Sequence, residues 1–282
     1  MTSVAIVAHH ERPEAPRLAR GAIEWLVEHG HDGWVVPDDA VALDLGDLVG
    51  ERPLDAADLV ISLGGDGTML RAVHLLDGAA VPLLGVNLGV LGYLTEIEPP
   101  ALTVALERFV AGREAGRWHL DERMMLDVAT SDTGRWRALN EVVVEKHESG
   151  HTVHLLARIA GEPFTSYAAD GLIVATPTGS TAYSLSARGP IVSPRHRALL
   201  LTPVSPHMLF DRALVLDPSE TVELEVAGEQ RAGLAVDGRL VTTLNRGEAV
   251  TCRASADTAR FVRFAPYHFH QILKKKFGLA DR

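Results

Sequence analysis

Two stretches of the chain carry residue types and spacings suited to phosphate and hydroxyl chemistry. The first, Asp58 to Thr68, reads D-L-V-I-S-L-G-G-D-G-T and runs on into T-M-L-R-A-V-H-L-L. Leu59 to Leu63 has the continuous apolar character of a buried parallel strand, and the segment after the glycines is apolar around most of a short helix. Strand, glycine turn and helix N-terminus together aim backbone donors and the helix dipole at negative charge. Asp66 is the odd member: beside phosphates a carboxylate repels unless Mg²⁺ intervenes or it faces a hydroxyl that must lose a proton. Capping of the helix is an equally good reading of that pentapeptide alone. The second stretch, Asp170 to Pro194, opens with the apolar run Leu172 to Ala175, which predicts a buried strand ending at Thr176. Pro177 and Gly179 break it, and Thr178, Ser180, Thr181, Tyr183, Ser184 and Ser186 then place six hydroxyls within nine residues. Turn amides and hydroxyls at a helix start suit a ligand carrying phosphates and ribose oxygens. A Ser/Thr-rich surface loop is the alternative, against which stands the rigid apolar entry.

Gly64-Gly65-Asp66-Gly67-Thr68 resembles a motif shared by NAD kinases, 6-phosphofructokinases and diacylglycerol-type lipid kinases. Asn140-Glu141, at the head of the strand-like E-V-V-V-E, and T-P-T-G-S-T-A-Y-S at 176–184 are similar to the NAD kinase family in particular. The order and spacing of all three agree with that family from about residue 58 onward. The resemblance implies transfer of the γ-phosphoryl of ATP to the 2′-hydroxyl of the adenosine ribose of NAD, giving NADP. Such transfer calls for positioning and charge neutralisation more than covalent chemistry. On the family's pattern Asp66 orients the 2′-hydroxyl and accepts its proton. The turn amides of Gly64, Gly65, Gly67 and Thr68 cradle phosphates, with Arg71 one helical turn on. Asn140 and Glu141 hold ribose hydroxyls, a diol being matched by an amide beside a carboxylate. Asp170, Thr178, Thr181, Ala182, Tyr183 and Ser186 line the NAD pocket, and Arg239, in the turn Asp237-Gly238-Arg239, is a further contact. Mg²⁺ arriving with ATP is the only metal expected. Ala168, Arg188 and Arg212-Ala213 depart from the family's usual residues. Three rivals stay open: a lipid kinase, a sugar kinase of the phosphofructokinase type, and a catalytically silent NAD(P) sensor. The first two have no evident use for Asn140-Glu141 together with the serine-rich segment, and the third has none for Asp66.

The elements that position these residues fall into two kinds. Val4 to Ala8, Trp34 to Val36, Leu59 to Leu63 and Val81 to Val86 read as strands alternating with helical spacing at Pro16 to Glu28, Met69 to Leu76 and Pro99 to Ala111. Asp38 to Asp55 is acidic and loop-like, with helical potential that the pattern does not place. After Val86, Asn87 to Thr95 matches the family's N-x-G-x-x-G-F-L-T segment, which the resemblance places beside the glycine turn. From Trp118 short strands take over: Met124 to Thr130, Arg137 to Lys146, Val153 to Ile159, Leu199 to Pro203, Arg212 to Leu216, Thr221 to Val226, Ala232 to Val236, Ala249 to Ala254 and Arg260 to Phe264. Gln271 to Leu279 reads as a helix. We therefore expect an α/β N-terminal domain with a Rossmann-like parallel sheet over residues 1–117, ending near Gly116. An all-β sandwich domain that binds NAD follows over 118–265, then a C-terminal helix over 266–282 returning to the first domain. By resemblance the dinucleotide lies in the crevice between the domains.

Composition bounds the partners. With 282 residues and 46% hydrophobic content, two buried cores are within reach. Lys+Arg 27 against Asp+Glu 37 leaves a net charge of −10, which argues against nucleic acid or an anionic membrane as the main partner. One cysteine, Cys252, excludes an internal disulfide framework and a multi-cysteine zinc site. The clusters His147, His151, His154 and His268, His270 read as ordinary histidines, expected by chance among 13. With no basic-then-apolar leader and no membrane-length apolar run, the expectation is a soluble cytoplasmic protein. By resemblance it is a homodimer or homotetramer.

Overall fold

The apolar runs at Val4, Leu59 and Val81 become neighbours in one parallel sheet. In a computed structural model that describes residues 1–279 other than 114, 116, 133 and 149, the chain begins with β1 (Ser3–Ala8), α1 (Ala15–Glu28), β2 (Asp32–Val35) and α2 (Pro37–Ala42). It continues through β3 (Leu59–Gly64), α3 (Asp66–Leu76), β4 (Pro82–Asn87) and α4 (Leu102–Val110). β1 pairs in parallel with β2 and β3, and β3 with β4. All of β3 and all but the first residue of β1 are buried. Strands covered on both faces need apolar side chains throughout, so they read as runs and not as alternation. α1 buries Leu18, Ala19, Ala22, Ile23 and Leu26 in the same core as Val4, Ile6, Leu59 and Ile61. Each such aliphatic side chain contributes about 1.5–3 kcal/mol when fully buried.

The later chain supplies β5 (His119–Thr130), β6 (Arg135–Ala138), β7 (Glu141–Lys146), β8 (Val153–Ile159), β9 (Glu162–Ala169) and β10 (Gly171–Ala175). After the short α5 (Tyr183–Ser186) come β11 (Leu199–Val204), β12 (Leu214–Leu216), β13 (Thr221–Val226), β14 (Ala232–Val236), β15 (Arg239–Leu244), β16 (Ala249–Arg263) and α6 (Phe269–Lys276). One antiparallel sheet runs β12-β11-β10-β7-β14-β15. Opposite it, β13 pairs with β8 and β16, and β8 with β9. Between the layers Val142, Val144, Leu172, Val174, Leu199 and Leu201 meet Leu155, Tyr167, Val222, Leu224 and Cys252. Val143, Ile173, Ala175 and Leu200 point to the other side of the first sheet, where Ala198 and the partly buried Ala187 and Val192 cover them. The strand before the serine-rich segment is thus buried on both faces, and that segment folds back over it.

By its contacts the chain divides into two compact units, Met1–Glu122 with the chain from Ala259 onward, and Arg123–Thr258. The divisions fall inside β5 and β16, a few residues from the expected 117 and 265. Gly116 lies outside the described residues. The C-terminal helix belongs to the first unit, and it begins at Phe269 where Gln271 was expected.

Four other expectations change. Arg137 to Lys146 is two strands, because the amides of Leu139, Asn140 and Glu141 all donate to the Asp237 carboxylate and leave the ladder there. The separate strands at 249–254 and 260–264 are one, β16. β9 escaped the sequence reading because Pro163 near its start argues against a strand; the ladder shifts register beside it, between Ala157 and Arg158. β15 also escaped: Arg239 opens it directly from a turn, and among the described residues it pairs only with β14.

Candidate active site

Asp66 opens α3, and its carboxylate does not cap its own helix. Oδ2 accepts the Tyr93 amide at 2.8 Å and Oδ1 accepts the Leu94 amide at 2.9 Å. Each oxygen keeps a further acceptor site. Gly92 lies so close that a Cβ there would come within 2.1 Å of Asp66 Oδ1. The glycines of the turn are required for different reasons. A Cβ on Gly64 would fall 2.1 Å from Thr68 Oγ1, whereas one on Gly65 or Gly67 would meet nothing within 4 Å. Gly65 is in extended backbone that any residue adopts, so the fold demands a glycine at 64 and merely leaves open space above 65 and 67. The Leu88 amide donates to the Gly64 carbonyl at 2.9 Å, tying the Asn87–Thr95 segment to the turn. Burial raises the Tyr93 hydroxyl, with Tyr267 and the Asp66 charge adding to it.

A cavity of about 520 Å³ opens over this turn, walled by residues 8–12 and by Gly65, Gly67, Thr68 and Arg71. Arg71 reaches it with its charge already matched. Nη1 and Nη2 donate to the two oxygens of Asp39 at 2.6 and 2.7 Å, and Nη2 also donates to the Ala8 carbonyl at 2.6 Å. Asp39 is fully buried and also meets the Ala8 amide and His10 Nε2. A charge so buried persists only because it is paired and hydrogen-bonded. Asp39 was missed in the sequence, hidden in an acidic stretch with no motif.

In the second unit Asp237 organises the Asn-Glu pair. Its Oδ1 accepts the amides of Asn140 and Glu141 at 2.7 and 3.0 Å, and Oδ2 that of Leu139 at 2.8 Å. The Asn140 carbonyl accepts the Thr176 amide at 2.8 Å, and a Cβ on Gly179 would lie 2.0 Å from that carbonyl oxygen. Only glycine lets the serine-rich turn pass so near. Glu141 is 5% exposed, and its Oε2 has no hydrogen-bond partner. Burial pushes its carboxyl up to about 8, with the Asp237 charge adding and the Tyr183 amide opposing. An orphaned oxygen in so closed a place is costly unless a ligand hydroxyl reaches it.

The hydroxyls of the serine-rich segment divide. Ser180 is buried, donating to the Pro177 carbonyl and accepting the Val192 amide, and Ser184 pairs with Thr202 at 3.0 Å. Thr181 donates to the Thr178 carbonyl at 3.3 Å. Thr178 is buried, Ala182 half-buried, and Tyr183 and Ser186 exposed. Burial raises the Tyr183 hydroxyl, with Glu145, Asp170 and Glu141 adding. Asp170 pairs with Lys146 at 2.6 Å, a partner the sequence reading did not name. Arg239 and Arg188 are exposed, and Arg188 has a φ of 65°. Among the described residues, no three His, Cys, Asp or Glu side chains are grouped to hold a metal ion. No helix among them is long and apolar enough to cross a membrane.

An amide-held carboxylate on an open glycine turn, and in the other unit a buried carboxyl with one oxygen unpaired, are the equipment of a phosphotransferase that acts on an alcohol. Residues 4–114 match the ATP-NAD kinase N-terminal domain and residues 139–264 the ATP-NAD kinase C-terminal domain. The chain belongs to the NAD kinase family. An NAD kinase of Heliobacterium modesticaldum is 39% identical over 287 residues, 98% of each chain, and one of Thermococcus sibiricus 37% identical over 278 residues, 96% of this chain and 99% of that one. The crystal structure of an Archaeoglobus fulgidus NAD kinase in complex with ATP superposes with a TM-score of 0.74 at 25% identity, covering 98% of this chain and 97% of that one. Yeast NADH kinase complexed with NADH shares the fold, with a TM-score of 0.88 at 24% identity over 100% of this chain and 89% of its own.

Proposed function

We infer that this chain is an NAD kinase, transferring the γ-phosphoryl of ATP to the 2′-hydroxyl of the adenosine ribose of NAD to give NADP. The observation that carries the reading is the Asp66 carboxylate, fixed by two amides on an open glycine turn with an acceptor site left on each oxygen. There it orients the 2′-hydroxyl and takes its proton. Positioning of that kind contributes typically 10²–10⁴-fold. The amides of Gly64, Gly65, Gly67 and Thr68 receive phosphate oxygens. Arg71, its charge matched by Asp39, shapes the wall of the cavity more than it attracts anions. Asn140 and Glu141 take the ribose hydroxyls, the free Oε2 of Glu141 accepting one. Asp170, Thr178, Thr181, Ala182, Tyr183, Ser186 and Arg239 complete the NAD pocket. The donor is Mg-ATP, its Mg²⁺ carried by the phosphates and neutralising charge as the phosphoryl moves.

We further propose a cytoplasmic homo-oligomer, dimer or tetramer, whose mass light scattering measures. The activity test is incubation of the purified protein with Mg-ATP and NAD, followed by an NADP-specific enzymatic assay. Accumulation of NADP is expected. Binding of NADP without its formation would make the chain a sensor, and phosphorylation of a lipid or sugar phosphate in place of NAD would restore the rival kinases.

A further inference from the structure

We infer that Tyr267 is a positioning residue for the Asp66 carboxylate, acting through one backbone link at Tyr93; the inference rests on the reading of Asp66 as the base. Tyr93 donates its amide to Asp66 Oδ2 at 2.8 Å, and its carbonyl accepts the Tyr267 hydroxyl at 3.2 Å. A single residue therefore joins the reactive carboxylate to the C-terminal segment. The neighbouring links repeat the pattern. Leu94 donates to Asp66 Oδ1, while its carbonyl and that of Thr95 accept Arg263 Nη1 at 3.3 Å each. The same nitrogen meets Glu96 at 3.0 Å, and the Arg263 guanidinium stacks 4.7 Å from the Tyr267 ring centre. Lys276 Nζ lies 4.3 Å from the centre of the Tyr93 ring.

The two ends of this arrangement differ in firmness. Arg263 is 1% exposed and held by Asp121 and Glu96, so it is a fixed anchor whose burial depends on those acceptors. α6 buries none of its residues, and such an element opens at low cost. Tyr267 stands between anchor and weakly held helix. The direction of the carboxylate is thus set by residues far along the chain and not by a cap within α3. Proton transfer is sensitive to displacements well under an ångström, whereas a contact that merely binds ligand tolerates them better.

Tyr267→Phe keeps the ring and its stacking on Arg263 and removes only the hydroxyl. The expected result is a kcat about 5-fold lower, with KM for NAD and for Mg-ATP matching the parent and the Tm lower by no more than about 2–4 °C, the worth of one net hydrogen bond. In the free protein the Tyr93 and Leu94 amides, which Asp66 protects, should exchange with solvent about 5-fold faster, the ratio for one net hydrogen bond. Lys276→Met, which leaves the hydroxyl in place, should change both quantities less. Unchanged kcat together with unchanged exchange overturns the inference. So does a raised KM with a Tm lowered by more than that one hydrogen bond allows, which would assign Tyr267 to general stability. A parent protein that makes no NADP defeats the function reading alone, and amide exchange then still decides whether Tyr267 holds the link.

Discussion

Glu141→Gln should make the protein's stability less dependent on pH, in a direction and amount the buried carboxyl dictates. Its carboxyl sits at about 8 in the folded chain against 4.5 for an ordinary glutamate, chiefly through burial. The folded state therefore keeps a proton that the unfolded state releases above pH 4.5. Stability falls as pH rises from that point and stops falling above about 8. At about 1.4 kcal/mol per pH unit, the full cost approaches roughly 5 kcal/mol above pH 8 and roughly 3 at neutrality. Glutamine has nearly the same shape and carries no proton to lose. Urea denaturation at about pH 5 should find the two proteins close, and at about pH 8.5 should find the variant the more stable by several kcal/mol. A ribose hydroxyl donated to Oε2 favours the ionised form, so NAD affinity of the parent should rise between about pH 6 and 8 while that of the variant stays flat. Parallel stability curves for parent and variant would refute the reasoning, because they would mean that Glu141 is ionised in the folded protein.

Asp66→Asn should still bind NAD in calorimetry and lose about 10²–10⁴-fold in kcat; a near-normal rate removes Asp66 from proton transfer. Gly64→Ala and Gly65→Ala should separate fold from ligand. The first drives a Cβ to 2.1 Å from Thr68 Oγ1 and lowers stability by about 1–3 kcal/mol; the second meets open space and raises KM for Mg-ATP at unchanged Tm. Identical behaviour of the two would deny that the space over Gly65 belongs to a ligand. Arg188→Gly should leave the kinetics for ATP, NAD and NADP as they were. It should raise stability by up to about 1 kcal/mol, since the residue is exposed at a φ of 65° where a side chain is strained; a changed Km for ATP would put Arg188 in the site.

What could be read from the sequence were the groups that announce themselves by spacing. Runs such as Leu59–Leu63 and Leu172–Ala175 stand out because burial on both faces leaves no polar alternation, and the glycine turn stands out because Gly64 is too crowded for a side chain while Gly65 and Gly67 keep the space above the turn open. What could not be read were the partners. Asp39 holds Arg71 across 32 positions and Asp237 gathers three amides from 96 positions away and more; nothing in a local pattern distinguishes such carboxylates from solvated ones. The serine-rich segment shows the same limit in the other direction. Its hydroxyls look alike in sequence, yet Ser180 and Ser184 are spent on the interior while Tyr183 and Ser186 face outward, a division set by how the turn folds back on β10 and β11.

β16 crosses from the second unit into the first, where Arg260 and Phe261 complete the sheet beside Pro82 and Leu83. During synthesis this reverses the usual order of folding. The second unit has all its strands before the first can close, although the first begins the chain. Roughly 170 residues separate Asn87 from Ala259, about ten to thirty seconds of elongation at about 5–20 residues per second. For that interval Pro82 and Leu83 lack their outer partner, while Gly85 and Asn87 can already pair with Glu96 and Ile97, which follow directly in the chain; an open strand edge is the kind of template on which another nascent strand can settle. The early pairing of Gly85 and Asn87 with Glu96 and Ile97 shortens the edge that has to be kept for β16.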